Sequence, residues 1–309
     1  MRRIAIIAAA VVVLAGVLSY VFVGRGGSAA AALPTLGHAG PSSAAARTLA
    51  GPLGAFGRDL LAQEAKTTPG NVVVSPASLH AVLSMLLNGA RGETATQMRR
   101  ALAVDGLSQT DINQGWADLI TSSQSGKQPE ISIADSLWLR DGVSFVPSFL
   151  DLNKNYFAAE ADKLAADPAQ AAADINGWVK QHTAGKITDI VSPQDFSQNT
   201  LLALINTVYL KVRWTHFDPA NTQPQPFTLT DGTKVDVPMM AAEHLTTLGA
   251  STPDYDLAGL TTSGPVTVWV VVPKGSQTPG QSSRSCSRPA LRPHCGLPRC
   301  GLPRCSCLG

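Results

Sequence analysis

No cysteine precedes residue 286 in this chain, and the five present, Cys286, Cys295, Cys300, Cys305 and Cys307, crowd into its last 24 residues. The body before them forms neither a disulfide nor a cysteine-based metal site. Catalytic signatures are missing too. There is no Gly-x-Ser-x-Gly elbow, no His-Glu-x-x-His pair and no phosphate-cradling glycine loop. The six histidines, His38, His80, His182, His216, His244 and His294, are scattered without ligand spacing. For each, a surface or satisfied core position outweighs catalysis. No catalytic, cofactor-binding or metal-binding residue is assigned, and the expectation is a protein that is not an enzyme. A basic face is lacking as well. Arg2, Arg3 and Arg25 lie in the leader, and Arg284, Arg288, Arg292, Arg299 and Arg304 in the tail. Without those eight, the formal charge of +2 becomes −6 for residues 26–280. An acidic body argues against nucleic acid as a partner.

What is present falls into four segments. Residues 1–25 begin with Arg2 and Arg3, then run uncharged from Ile4 to Val23. This is the pattern of an export signal, and it is long enough to span a bilayer as an uncleaved anchor with the arginines inside. Ser28 to Ala32 offer small residues for a cleavage site. The body is therefore expected outside the cytoplasm, secreted or anchored to the membrane through residues 4–23. Residues 26–46 are an Ala/Gly/Ser/Pro-rich spacer. Residues 47–275 form the foldable body. Residues 276–309 carry five prolines and repeat Gly-Leu-Pro-Arg-Cys at 296–300 and 301–305. From Gln281 onward there is no Asp, Glu, Lys, aromatic or β-branched residue. A disordered Cys/Pro/Arg-rich tail, the product of a shifted reading frame, is the expectation there. Its odd cysteine count and spacings match no zinc pattern.

The body is organised around Asn71 to Met98. Val72, Val73 and Val74 are a β-branched run of the kind that favours a buried strand. Ser75-Pro76 starts a helix, with the hydroxyl as cap and proline at the first helical position. Leu79, Val82, Leu83, Met85, Leu86 and Leu87 make that helix apolar on nearly every side, so it belongs inside the molecule. Asn88-Gly89 ends it, and Thr94 with Gln97 suggests a capping box for the next helix. Upstream, Leu49, Leu53, Phe56, Leu60 and Leu61 follow helical spacing until Thr68-Pro69-Gly70. Downstream, Asp111 is a plausible cap for a helix carrying Ile112, Trp116, Leu119 and Ile120, and Gly126 to Pro129 break the pattern. Ile131, Ile133, Leu137 and Leu139 alternate with Ser132, Ala134, Ser136 and Trp138 as in a sheet strand. Pro147 opens a short helix with Phe149, Leu150 and Phe157. Leu201 to Val212 suit a strand buried on both faces.

Several of these stretches closely resemble the serpins, the serine protease inhibitor family. Ser75-Pro76-Ala77-Ser78 and Gly89-Ala90-Arg91-Gly92-Glu93-Thr94-Ala95-Thr96-Gln97 match the family's opening signature. Asp174 to Val191 resemble the helix that crosses the front of the family's main sheet. Thr200 to Phe227 resemble the strand that ends at the top of that sheet, with Asn206, Lys211 and Trp214 in the pattern. Lys234 to Met240 and Val266 to Lys274 resemble the strands that follow, so the likeness covers Leu49 to Lys274. It implies an α+β serpin-like fold: a large central β-sheet, surrounding helices and a partial second sheet, incomplete at the C-terminus.

The resemblance also implies roles for particular residues. Asn71, Ser75, Ser78 and Asn206 match the polar "shutter" beneath the main sheet. Trp214 matches the "breach", where an inserting strand first enters. Read without the family, Ser75 and Asn71 are capping and turn residues, and Trp214 is core packing. The implied function is suicide inhibition of a serine or cysteine protease, by insertion of a cleaved reactive loop into the main sheet. No hinge rich in Glu, Gly, Thr and Ala, with which that loop begins, is found in the 309 residues. The expectation is therefore a chain that is non-inhibitory as written. The alternative is an extracellular, membrane-tethered binding or scaffold fragment.

Overall fold

The computed structural model describes residues 3–15, 44–67, 70–124, 131–229, 231–242, 248–264 and 266–275, with the backbone alone for 3–15. The Gly126–Pro129 break and residues 276–309 lie outside the described residues. The fold is α+β. Its centre is strand β4, which follows in chain order β1 (Arg3–Ala15), α1 (Ala44–Thr67), α2 (Pro76–Leu87), α3 (Gly92–Ala101), α4 (Gln109–Ser123), β2 (Ile131–Arg140), α5 (Pro147–Phe157), β3 (Glu160–Leu164) and α6 (Pro168–His182). β4 itself spans Thr200–Arg213.

The main sheet has the order β1-β4-β2-β3. β2 lies antiparallel to β4, from Ile131 opposite Leu210 to Leu139 opposite Leu202. β1 lies antiparallel along the other edge of β4, and β3 runs parallel to β2. Successive residues of β4 face opposite sides, and both sides are covered. On one, Leu202 and Leu204 join Leu137 of β2 in a core with Ala81, Val82, Met85 and Leu87 of α2, Phe56 of α1, Trp116 of α4 and Phe157 of α5. On the other, Ala203 and Ile205 join Trp138 of β2 and Ile175 and Val179 of α6. Double burial explains the continuous apolar run from Leu202 to Ile205, with Leu201 at the rim left exposed. Two smaller sheets follow. One pairs β5 (Gln223–Thr228) with β6 (Lys234–Met239), and the other orders β7 (Leu248–Ser251), β8 (Tyr255–Thr261) and β9 (Thr267–Pro273).

Local chemistry sets most helix boundaries. Ser75 caps α2 through its side chain, and Asp167 caps α6 by accepting from Gln170 N at 2.8 Å. After α6, Ala184 and Gly185 take φ of 51° and 71°, and the Thr183 hydroxyl accepts from Ile187 N at 3.1 Å to fix the exit turn.

Four expectations need correction. Val72–Val74 form no strand, and Val73 is 89% exposed. A three-residue run becomes a strand only beside a ladder partner, and among the described residues none runs there. Thr94 and Gln97 make no capping box: α3 begins at Gly92, and Gln97 donates instead to Glu93 at 3.2 Å. The cap of α4 is Ser108, with Asp111 closing the box from the third helical position. α1 starts at Ala44, within the stretch read as spacer, and Ala46 in its first turn is already buried. Residues 3–15 are extended backbone paired to β4, and among the described residues no helix is long and apolar enough to cross a membrane.

Candidate functional site

Alternation along β2 and β4 sends Asp135 and Asn206 to the same side as Leu137 and Leu204, the side that α2 covers. The two residues stand directly opposite one another in the ladder. Asn206 Nδ2 donates to Asp135 Oδ1 at 2.9 Å, and both side chains are buried. Burial pushes the Asp135 carboxyl up to about 7, and the Asn206 hydrogen bond pulls weakly the other way. Asp135 Oδ2 and Asn206 Oδ1 are left buried without a hydrogen-bond partner.

The four residues matched to a shutter are only partly brought together. Ser75 and Ser78 share the first turn of α2, where Ser75 Oγ donates to Ser78 Oγ at 2.9 Å and accepts from Ser78 N at 3.4 Å. Ser78 is fully buried in the first turn of α2. Asn206 directs its amide to Asp135 and not to that serine pair. Asn71 is exposed in the chain leading into α2. Trp214 lies at the far end of β4, half-buried, bridged to Thr262 and edge-on to Phe217 at 5.6 Å. Beyond it, His216 Nε2 lies 2.6 Å from Thr261 Oγ1, which ties the end of β4 to β8.

Asp135 and two polar clusters escaped the sequence reading. Asp135 occupies a position in β2 that the period of two assigns to an apolar residue, and that break in parity was the available signal. His80, Ser84 and Trp116 form a second buried group. The carbonyl of Leu102 can only accept, so His80 Nε2 carries the proton at 3.2 Å and Nδ1 accepts from Ser84, also at 3.2 Å. Trp116 Nε1 donates to the same Ser84 hydroxyl at 3.3 Å. Burial lowers the His80 pKa to about 4, with the bond to Leu102 opposing it. Asn88 is the hub of the third group, donating to Asn153 at 2.9 Å and accepting from Gln109 at 2.8 Å and Asn113 at 2.9 Å. Ser84 and His80 make a hydroxyl–imidazole pair, but both are wholly buried and out of reach of a substrate, and among the described residues no group of three His, Cys, Asp or Glu is placed to hold a metal.

A sheet enclosed by an interior helix on one side and α6 on the other is matched by the family model for serpins, the serine protease inhibitors, over residues 53–290. The chain belongs to the serpin family. The matched region starts slightly later than Leu49 and runs past Lys274 to residue 290. Among relatives, this serpin is 35% identical over 175 residues to neuroserpin from Gallus gallus, covering 55% of this chain and 42% of that protein. It is 34% identical over 192 residues to serpin B6 from Macaca fascicularis, covering 60% and 51% respectively. The chain thus spans about half the length of the curated relatives it matches. Its fold is similar to that of cleaved kallistatin complexed with heparin, with a TM-score of 0.69 and 25% identity over 75% of this chain and 70% of that one. Reactive-loop-cleaved human thyroxine-binding globulin shares the fold with a TM-score of 0.70, at 24% identity over 79% and 76%.

Proposed function

We propose that this serpin is built to inhibit a serine or cysteine protease by adding a strand to its main sheet, and that the 309 residues by themselves do not inhibit. In the mechanism the family implies, the protease cleaves an exposed loop, and the loop enters the sheet while still bound to the enzyme. The chemistry belongs to the protease, so no residue here needs to be catalytic. The observation that carries the reading is the edge of β4 away from β2. It accepts a strand remote in sequence, Arg3–Ala15, in antiparallel register from Arg3 opposite Arg213 to Leu14 opposite Leu202. A sheet that takes such a ribbon beside its central strand has the property that insertion requires. The shutter role of Asn71, Ser75, Ser78 and Asn206 and the breach role of Trp214 belong to the same proposal.

The uncharged run from Ile4 to Val23 supports export, with the body outside the cytoplasm. Export and pairing with β4 are then alternative fates of one segment, because its removal leaves the β4 edge open. Incubating the full chain with a panel of serine and cysteine proteases tests the non-inhibitory half. Cleavage without a covalent complex that survives SDS is expected, and such a complex would overturn it. A chimera with residues 276–309 replaced by the corresponding part of a full-length inhibitory relative tests the other half. Covalent trapping by the folded chimera supports the inherited mechanism, whereas turnover of it as a plain substrate refutes it.

A further inference from the structure

Among the described residues Asp135 is the one buried carboxyl, and it has no cation against it. Among the described residues no charged group bonds or pairs with Asp135, and only burial and the Asn206 amide act on it. On α2, His80 bonds Leu102 and Ser84; on α4, Asp118 accepts from Gln114. On β3, Glu160 accepts from Trp178, and Asp162 and Lys163 are exposed. Lys211 and Arg213 of β4 are exposed at the far end of the strand. Asp135 faces an amide instead. Of the four polar atoms in the pair, Asn206 Nδ2 and Asp135 Oδ1 are joined, and the two that remain are both acceptors, both buried and both orphaned. A carboxylate cannot satisfy either of them. A carboxylic acid satisfies both, because its O–H becomes the missing donor.

We propose that Asp135 and Asn206 form a proton-operated latch across the β2–β4 joint, in which a proton on Asp135 Oδ2 is donated to Asn206 Oδ1 and closes a two-bond acid–amide pair. The proton comes from solvent as pH falls and returns to it when the latch opens. No other bond is made or broken. Closed, the pair locks β2 to β4 at the middle of their ladder, at the point where Ala10 of β1 lies on the other side of Asn206. Open, two like-signed oxygens face each other in a dry interior and the joint loosens. The raised Asp135 pKa of about 7 agrees with this geometry and sets the working range. The proposal does not depend on protease inhibition.

The Asp135→Asn variant keeps both hydrogen bonds as an amide–amide pair and cannot titrate. Unfolding equilibria of the full chain and of D135N, measured from pH 4 to pH 8, isolate the carboxyl as the ratio of their folding constants. That ratio should fall by roughly 300-fold between pH 4 and pH 7 and then level off. Backbone amides of β2 and β4 should lose hydrogen-exchange protection at least tenfold between pH 6 and pH 8 in the wild type and not in D135N. A ratio that is flat across the range, or equal protection changes in both proteins, would overturn the latch. Infrared spectra of the wild type need no variant. A protonated-carboxyl band at pH 6 that fades by pH 8 supports the proposal, and its absence at pH 6 defeats it.

Discussion

His80 is neutral inside the core at ordinary pH, with its pKa held near 4, below the 6.5 of an unfolded chain. Its contribution to stability is therefore full above pH 6.5 and is lost as pH falls toward 4, by about 3 kcal/mol at about 1.4 kcal/mol per unit. Asp135 works in the opposite sense. Its folded pKa lies above the unfolded value of 3.8, so its contribution is full below pH 3.8 and is lost as pH rises toward 7. Between pH 4 and 6.5 the two slopes oppose each other, and the wild type should show little net dependence on pH in that window. Each variant should uncover the other group. His80→Gln should lose stability as pH rises from 4 to 7, and D135N should gain it from 4 to 6.5. Urea titrations at half-unit pH steps decide the matter, and parallel curves for the two variants would show that one of the groups does not titrate as described. Neither partner was legible in the sequence. A lone histidine on an apolar helix is ambiguous until Leu102 and Ser84 are seen around it, and Asp135 was a single exception within a convincing alternation.

At the scale of the elements, α2 and the two central strands were the most legible parts, for a physical reason. A Ser-Pro start, a helix apolar on all sides and a continuous apolar run such as Leu202 to Ile205 each specify burial without reference to distant chain. Features that needed a distant partner were misread. Val72–Val74 have the composition of a strand but no ladder beside them, and the Thr94/Gln97 spacing fits a box that the earlier start of α3 at Gly92 pre-empts. The shutter role proposed for Asn71, Ser75, Ser78 and Asn206 rests on family likeness alone, because capping explains Ser75 equally well. The Asn88 hub was invisible, since Gln109, Asn113 and Asn153 lie 21 to 65 residues away from it. That hub ties the end of α2 to α4 and α5 through one side chain. Asn88→Ala removes the partner of all three amides in an interior where each buried orphan costs about 1–3 kcal/mol. Some relaxation toward solvent at Gln109 limits the sum, so a loss of about 2–3 kcal/mol in chemical denaturation is expected. A loss below about 0.5 kcal/mol would mean that the three helices are held by apolar packing alone.

For the molecule as a whole, the main sheet and its helices bury their apolar faces, but the β7-β8-β9 sheet does not. Trp269, Val270, Val271 and Val272 of β9 are between 38% and 48% exposed. β9 pairs with β8 along one edge, and among the described residues nothing pairs with the other. Four consecutive apolar residues on an open strand edge, three of them β-branched, are the arrangement that recruits a second strand. The second strand most readily at hand is the same segment of another copy, which offers an identical edge at the protein's own concentration. Val271 sits in the middle of the segment, opposite Leu257 of β8, so a charge there interrupts any added ladder at its centre. Val271→Lys leaves the β8 pairing through the backbone intact and keeps the long side chain in solvent, so folding stability should change by no more than about 0.5 kcal/mol. Size-exclusion chromatography with light scattering on the full chain should show association that grows with concentration in the wild type. The monomer fraction of V271K should be several-fold larger at the same concentration. Equal association in the two proteins would place the adhesive surface elsewhere and leave the β9 edge without consequence.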